Sequence, residues 1–470
     1  MLLGGAFVHA VVLAAAHWKT GAIDGYAFRS LDGQEFYAIA GNLAEHGAFS
    51  QSDLPPFTPD TWRTPGYPLF LGSIMLLFGK SSAALILAQQ MLAIVNVVLV
   101  FRIARMHMSD SRAALAAGLF LIEPYQLYYS LWLLSTTWLV TLLLLTWLAW
   151  AKAIRGGGVL RFGILGGLCG FLVVTWPGTI LIPVAVFSGI AAAAFRSWHT
   201  SPVMRRPAVV AATLLFVTAC LAAPGLWMMR NLSVAGRFAL SHQGGIVLSY
   251  FKATEVVLWR QGRAEDRYLE TSLNADRRDE PHPVWETIDE ALQGRLYDLP
   301  IEQRNELSWA NLAQGNKTSV DPFRVSAELG DIGLDHLLHS PLSTLACCTA
   351  RFGSILTFPL DIALWPPKCV EVHRLRSAAV GTLYLMLCLA AVVRLARGKF
   401  GFEAIYFPLA CTLALLMTTT PQTDPRFRVP MMGMLIFVAL LPVNRADSEG
   451  RPPDRPASTR GEPDKPAEPC

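Results

Sequence analysis

Two carboxylates three residues apart stand out in the stretch SLDGQEFYAIAGNLAEHGAFS, residues 30–50, of a chain otherwise poor in charge. Asp32 and Glu35 would share one face of a helix, and an aspartate so placed can take the proton of an attacking hydroxyl or amine as a general base. The same spacing is that of a capping box, with each carboxylate accepting from backbone N–H groups at a helix start. The two roles are compatible. Four arginines, Arg63, Arg230, Arg426 and Arg428, lie beside the ends of long apolar runs. Arginine is always charged and donates two parallel hydrogen bonds, which suits a phosphate. The ordinary alternative is snorkelling, in which the stem covers apolar surface and the head reaches lipid headgroups. Arg426 and Arg428, two apart in a polar turn with Asp424, are the better candidates for a phosphate. Trp62 and Tyr67 could stack on a sugar, although interfacial aromatic residues usually anchor a chain in the membrane. His242, His336, His339 and His373 form no metal-ligand constellation, and no essential zinc is expected.

The elements that must position these groups are membrane helices. The chain is 53% hydrophobic and only 16% charged, where a soluble domain carries about a quarter charged residues. Candidate spans cover roughly residues 2–18, 82–104, 113–130, 132–151, 161–176, 178–195, 207–227, 377–394, 402–419 and 429–443. Each is read as helical because unpaired backbone groups cannot face lipid. Arg102, Arg105 and Arg112, then Lys152, Arg155 and Arg161, then Arg196, Arg205 and Arg206, then Arg394, Arg397 and Lys399 fall on alternate connections. That assigns those connections to the inner face. The run YPLFLGSIMLLFG, residues 67–79, is too short to span comfortably and reads as an interfacial or re-entrant helix. Residues 19–81 and 228–376 are then the outer segments. Phe36, Ile39, Ala40 and Leu43 predict an amphipathic helix over 33–46, closed by His46-Gly47. The second outer segment holds 17 of the 35 acidic residues between Glu255 and Asp335, punctuated by Pro281, Pro283 and Pro300, and reads as a small helical insert. The tail 444–470 is rich in proline and charge and is expected to be disordered. The eight cysteines suggest neither a disulfide framework nor a metal site, and a net charge of +4 gives no reason to expect nucleic acid.

The order D-x-x-E-[FY]-x-x-x-A-x-N-L-x-x-x-G-x-[FY]-S followed by RTPGYPLFL resembles the first outer loop of bacterial membrane glycosyltransferases of the GT-C superfamily. The resemblance is to the dolichyl-phosphate-mannose protein mannosyltransferases and their bacterial relatives, including the lipid A aminoarabinose transferase. PGLWMMRNLSVAGRFALSHQGG at 224–245 and DPRFRVPMMGMLIFVA at 424–439 match two later motifs of that group. The resemblance implies an all-α polytopic membrane protein, a GT-C-like bundle of about ten or more transmembrane helices with juxtamembrane helices and a periplasmic insert. It divides the chain into a membrane core over 1–250, an insert over 251–376, C-terminal helices over 377–443 and the tail. It makes Asp32 the catalytic candidate and Glu35, Arg63, Tyr67, Arg230, Asn231, Arg426 and Arg428 the substrate-binding candidates. One departure is Thr136, in LLSTTWLV, where the group often has an acidic residue. Glu123, in LFLIEPYQLYYS, is a nearby carboxylate that could compensate, but a helix break at Glu-Pro is the better explanation of it.

The implied activity is transfer of a sugar from a polyprenyl-phosphate donor to a lipid, glycan or protein acceptor, in a bacterial inner membrane with the site facing the periplasm. The implied course is inverting displacement, with Asp32 as base and arginines on the leaving phosphate, needing no metal or other cofactor. A polysaccharide polymerase or ligase would share the donor but not the first-loop motif. A lipid-linked sugar transporter would place ionisable groups and broken helices near the bilayer midplane, often in repeated halves, and the charges here cluster at span ends with no repeat.

Overall fold

The computed structural model describes residues 2–156, 158–200, 206–262, 283–308, 312, 319–357, 370–398, 400–421 and 425–442. The readings of Pro281, Lys399, Asp424, the His373 side chain and the tail 444–470 lie outside the described residues. Among the described residues the chain is helical throughout. In order the helices are α1 (Leu2–Thr20), α2 (Leu31–His46), α3 (Gly66–Phe78), α4 (Ser82–Arg105), α5 (Asp110–Leu121), α6 (Pro124–Tyr129), α7 (Thr136–Ile154), α8 (Val159–Thr175), α9 (Leu181–Thr200) and α10 (Arg206–Ala235). There follow α11 (Gln243–Ile246), a π-helical turn over Val247–Ala253, α12 (Thr254–Arg260), α13 (Pro283–Arg295), α14 (Ile301–Asn305), α15 (Pro322–Leu338), α16 (Pro341–Thr357), α17 (Val370–Arg397), α18 (Phe402–Thr419) and α19 (Val429–Leu440).

Six stretches are long and apolar enough to cross a membrane by length and composition: Leu2–Thr20, Ser82–Arg105, Thr136–Ile154, Pro177–Phe195, Ala208–Ala235 and Phe402–Thr419. The ranges expected for the other spans are also helical, with one clear difference. The expected span 113–130 is two helices, because Pro124 cannot continue α5 and pushes Glu123 to an extended ψ of 116°. Glu123 then caps α6, its carboxylate accepting from the Gln126 N–H at 2.6 Å.

The spans pack by close backbone approach on one face and by large side chains on the other. Gly166 and Gly170, four residues apart on α8, face α10 so closely that an added Cβ would lie 2.2 Å from the Phe216 and Cys220 carbonyl oxygens respectively. Small residues at this spacing let two membrane helices meet where lipid gives no hydrophobic drive. Trp147, Trp150, Phe407 and Phe437 fill the space between α7, α18 and α19. At the Arg105 end of the bundle, Arg155 bonds Glu403 at 2.9 Å and the Met106 carbonyl at 3.1 Å. Three of the connections assigned to one face therefore converge.

The opposite end carries α2, the 47–65 loop, the C-terminal end of α10 and the turn before α19. A second apolar cluster, built from Ile246, Tyr250, Leu258, Val284, Ile288, Leu292, Leu296, Val325 and Leu329, forms a core within 246–329. It also takes in Trp62 of the 47–65 loop. The insert is thus fastened to the loop that carries Arg63. The measurement that checks the α8–α10 contact is thermal unfolding of the detergent-solubilised protein. Gly166→Val should cost about 1–3 kcal/mol by forcing the two helices apart, whereas Gly167→Ala, with no atom within 4 Å of the added Cβ, should leave the midpoint unchanged.

Candidate functional site

Helix α2 begins two residues earlier than its apolar periodicity predicts, and its cap differs from the predicted capping box. Ser30 is the N-cap, its Oγ accepting from the Gly33 N–H at 3.1 Å. Capping by serine removes that task from Asp32, which stands in the first turn with its carboxylate turned to two arginines. The far end of α2 closes as expected, with Gly47 at φ 64° and its N–H bonded to the Leu43 carbonyl.

Arg63 reaches both carboxylates. Its Nη2 lies 2.5 Å from Asp32 Oδ1 and its Nε 2.5 Å from Glu35 Oε2. Arg426 brings Nη1 to 2.8 Å from the other Asp32 oxygen. Two carboxylates and two guanidinium groups from three remote segments therefore meet and balance in charge. Asp32 and Arg426 remain partly open, at 28% and 27% of side-chain surface, whereas Arg63 is 9% exposed. The Arg63 guanidinium also lies 4.9 Å above the Phe36 ring, which closes the inner side of the site.

The two carboxylates sit in different fields. Burial by itself would raise the Asp32 carboxyl, but Arg63 and Arg426 outweigh it and hold Asp32 well below the ordinary carboxylate range. At Glu35 burial is the larger effect and, with repulsion from Asp32, pushes the carboxyl up in spite of Arg63. Arg63 is also buried, yet its two carboxylates raise its affinity for the proton. Environments that separate two neighbouring carboxylates in this way are common where acid and base roles are divided.

Asp60, which sequence reasoning missed, shapes the loop that delivers Arg63. It is 1% exposed, and its Oδ1 accepts from the Trp62 and Arg63 N–H groups at 3.0 and 2.8 Å while Oδ2 accepts from Gln51 Nε2 at 2.5 Å. The available signal was the Asp-x-x spacing of an Asx-type turn in DTWR. Burial pushes this carboxyl up against those hydrogen bonds. From the insert side, His242 Nδ1 lies 3.0 Å from the Thr61 hydroxyl, and burial brings the imidazole down to about 4, so it is neutral.

The other predicted residues are not gathered at Asp32. Arg230 donates to the Asp60 and Phe49 carbonyls at 2.5 and 3.3 Å and to Asn231 Oδ1 at 2.9 Å. Asn231 in turn donates to the Ala239 and Leu240 carbonyls at 2.8 and 3.1 Å. These two residues staple the outer loops together. The stacking role expected of Tyr67 needs correction: its side chain is fully buried, its ring lies edge-on to Phe36 at 5.0 Å and its hydroxyl donates to Gln89 at 2.7 Å. Arg428 is likewise fully buried, between the rings of Tyr125 and Tyr384. Thr136 is buried at the first position of α7. Among the described residues no group of three or more His, Cys, Asp or Glu side chains could hold a metal ion.

At one end of the bundle a carboxylate is thus shared by two arginines, beside a second carboxylate. The family model of the dolichyl-phosphate-mannose-protein mannosyltransferases matches residues 62–227. The match begins at the loop that delivers Arg63 and ends in α10, just before Arg230. Among solved structures, the chain is similar to ArnT from Cupriavidus metallidurans bound to undecaprenyl phosphate, at 12% identity and a TM-score of 0.38, covering 92% of this chain and 77% of that one. It is also similar to the archaeal oligosaccharyltransferase AglB from Archaeoglobus fulgidus, in complex with an inhibitory peptide and a dolichol-phosphate, at 12% identity and a TM-score of 0.43. That match covers 93% of this chain and spans half the length of the other. No curated protein matches the chain.

The charge pattern predicts a pH signature. Asp32→Asn should lower the thermal midpoint at neutral pH. The deficit should shrink as the pH falls below the ordinary carboxylate range toward the depressed folded value of Asp32, because protonated wild-type Asp32 loses the same attraction. Glu35→Gln should cost less at neutral pH, since a carboxyl raised by folding is held in its charged form at a cost. Unfolding midpoints of the three proteins between pH 7 and pH 2 check this, and a deficit for Asp32→Asn that does not shrink below pH 4 would contradict it.

Proposed function

We propose that the chain is an integral membrane glycosyltransferase that moves a sugar from a polyprenyl-phosphate donor to an acceptor hydroxyl or amine, with Asp32 as the base. The observation that carries this is the convergence of Asp32 with Arg63 and Arg426, from residues 32, 63 and 426 of the chain, at one end of the bundle. The mannosyltransferase family match supports it.

A polyprenyl tail stays in lipid and presents its phosphate at headgroup depth, so the protein must offer cations there. Arg426 is the more exposed of the two guanidinium groups on Asp32 and is the one assigned to the phosphate. While both arginines hold it, Asp32 is a weak base. A donor phosphate that takes hydrogen bonds from Arg426 removes one of the cations depressing Asp32, and its carboxylate becomes more basic as the donor seats. The acceptor oxygen or nitrogen then bonds to the anomeric carbon while the bond from that carbon to the phosphate oxygen breaks. The proton passes to Asp32 and the electron pair leaves on the lipid phosphate, whose charge Arg426 stabilises. Inversion at the anomeric carbon follows from displacement in one step. The scheme asks for no metal. Glu35 keeps Arg63 charged and oriented, and Arg230 with Asn231 shapes the loops around the site instead of meeting substrate.

The bacterial inner-membrane, periplasm-facing location is read from the family resemblance. Transfer of label from a panel of polyprenyl-phosphate sugars in membranes holding matched amounts of protein tests the activity. Wild type should transfer. Asp32→Asn should lose about 10²–10⁴-fold in kcat, and Arg426→Ala about 10²–10³-fold in kcat/KM for the donor. An Asp32→Asn protein as active as wild type would remove Asp32 from the chemistry.

A further inference from the structure

Three consecutive side chains, Arg426, Phe427 and Arg428, leave the single 3₁₀ turn Pro425–Phe427 in three directions. Arg426 goes to Asp32. Phe427 stacks on Trp176, beyond the end of α8, with centroids 5.3 Å apart and planes at 14°. Arg428 turns into the bundle, where its guanidinium carbon lies 4.0 Å from the Tyr125 ring centroid and 4.2 Å from that of Tyr384. The Tyr384 hydroxyl donates to Glu123 Oε1, and the Glu123 carboxylate lies within electrostatic reach of Arg428. This cluster ties α6, α17 and the start of α19 together.

We propose that Arg428 is a positioning residue: the buried Glu123–Tyr384–Arg428–Tyr125 cluster anchors the Arg-Phe-Arg turn and so aims Arg426 at Asp32 and at the donor phosphate. The part that concerns phosphate rests on the function proposed above. Three observations carry it. Arg428 and Glu123 are 0% and 3% exposed, so the guanidinium is closed to a phosphate at the surface. Arg428 is the N-cap of α19, and its carbonyl accepts from the Met431 and Met432 N–H groups at 2.8 and 3.1 Å. Fixing its side chain therefore fixes the backbone two residues from Arg426. In a turn with about three residues per revolution, side chains two apart diverge by about 120°, so one arginine can be clamped inside while the other faces the site. The Tyr125 and Tyr384 ring centroids lie 5.9 Å apart with planes at 38°, so the guanidinium meets two neighbouring rings at once, contacts that a broad delocalised cation makes better than the compact ammonium of lysine.

The test is a pair of double-mutant cycles on the full-length protein in nanodiscs. The first reads the affinity for a radiolabelled short-chain polyprenyl phosphate. Tyr384→Phe and Arg428→Lys should each weaken binding by about 3- to 30-fold. In an Arg426→Ala background the same changes should alter it by less than about twofold, because no aim is left to lose. Additive losses would overturn the proposal and make Arg428 an independent contact, and full affinity in Arg428→Lys would show that a point charge suffices. Using both variants guards against one of them failing to fold. If Arg426→Ala itself binds like wild type, the phosphate reading of Arg426 fails. The positioning claim is then decided by the second cycle, in thermal midpoints: Asp32→Asn must cost less in Tyr384→Phe than in wild type, and an equal cost overturns it.

Discussion

A carboxylate taken out of water must be met by a cation, and that requirement organises the outer end of this protein. Asp32 and Glu35 bring two negative charges to a site where Phe36 and its neighbours exclude solvent on the inner side. Arg63 and Arg426 bring two positive ones. Removing one partner of such a set leaves an uncompensated charge, which is far costlier than the set is stabilising. The backbone around each member is correspondingly over-determined. Ser30 caps α2 so that Asp32 need not, Asp60 folds the turn that delivers Arg63, and the Arg-Phe-Arg turn is held at Trp176 and between two tyrosines.

Neutrality has a consequence for a ligand. A site whose charges already cancel does not attract an anion by excess positive potential, so a phosphate must compete with Asp32 for a guanidinium. In the proposed reaction, competition couples binding to the state of the carboxylate: the event that fills the cation's hydrogen bonds is the one that would free Asp32 to act as base. A site built only from arginines would bind phosphate more tightly but would gain no change in basicity from doing so. The partial exposure of Asp32 and Arg426, against the burial of Arg63, places this exchange at the open edge of the cluster.

Much of this was legible in the sequence because it rests on local pattern. The apolar runs locate the spans, the 3.6-residue recurrence of Phe36, Ile39, Ala40 and Leu43 locates α2, and His46-Gly47 locates its end. Three motifs in chain order singled out Asp32, Glu35 and Arg63, then Arg230 and Asn231, then Arg426 and Arg428, and of these Asp32, Glu35, Arg63 and Arg426 meet. What pattern could not supply was direction. Tyr67 looks like an interfacial aromatic residue, but the rotation of α3 takes it into the core, onto Phe36 and Gln89. Asp60 looks like one loop acid among several until its neighbours' N–H groups are seen to converge on it. The predicted cap failed because Ser30, Asp32 and Glu35 all carry capping chemistry, and only tertiary charge pairing decides which of them is free to use it.

Arg426 and Arg428 show the same limit at its sharpest. They have the same side chain and flank one phenylalanine, and as sequence they are equal candidates for a phosphate. Their difference lies in what other segments of the chain present to them. Arg426 finds the carboxylate of Asp32, still partly open to solvent, whereas Arg428 finds the faces of Tyr125 and Tyr384 with Glu123 behind them. The cap that Glu123 makes on α6 and the proline that broke the helix before it are therefore part of the same construction. A break in a membrane helix exposes backbone groups that must be satisfied. Here the residue that satisfies them also meets, through Tyr384, the arginine that sets the last turn of the site.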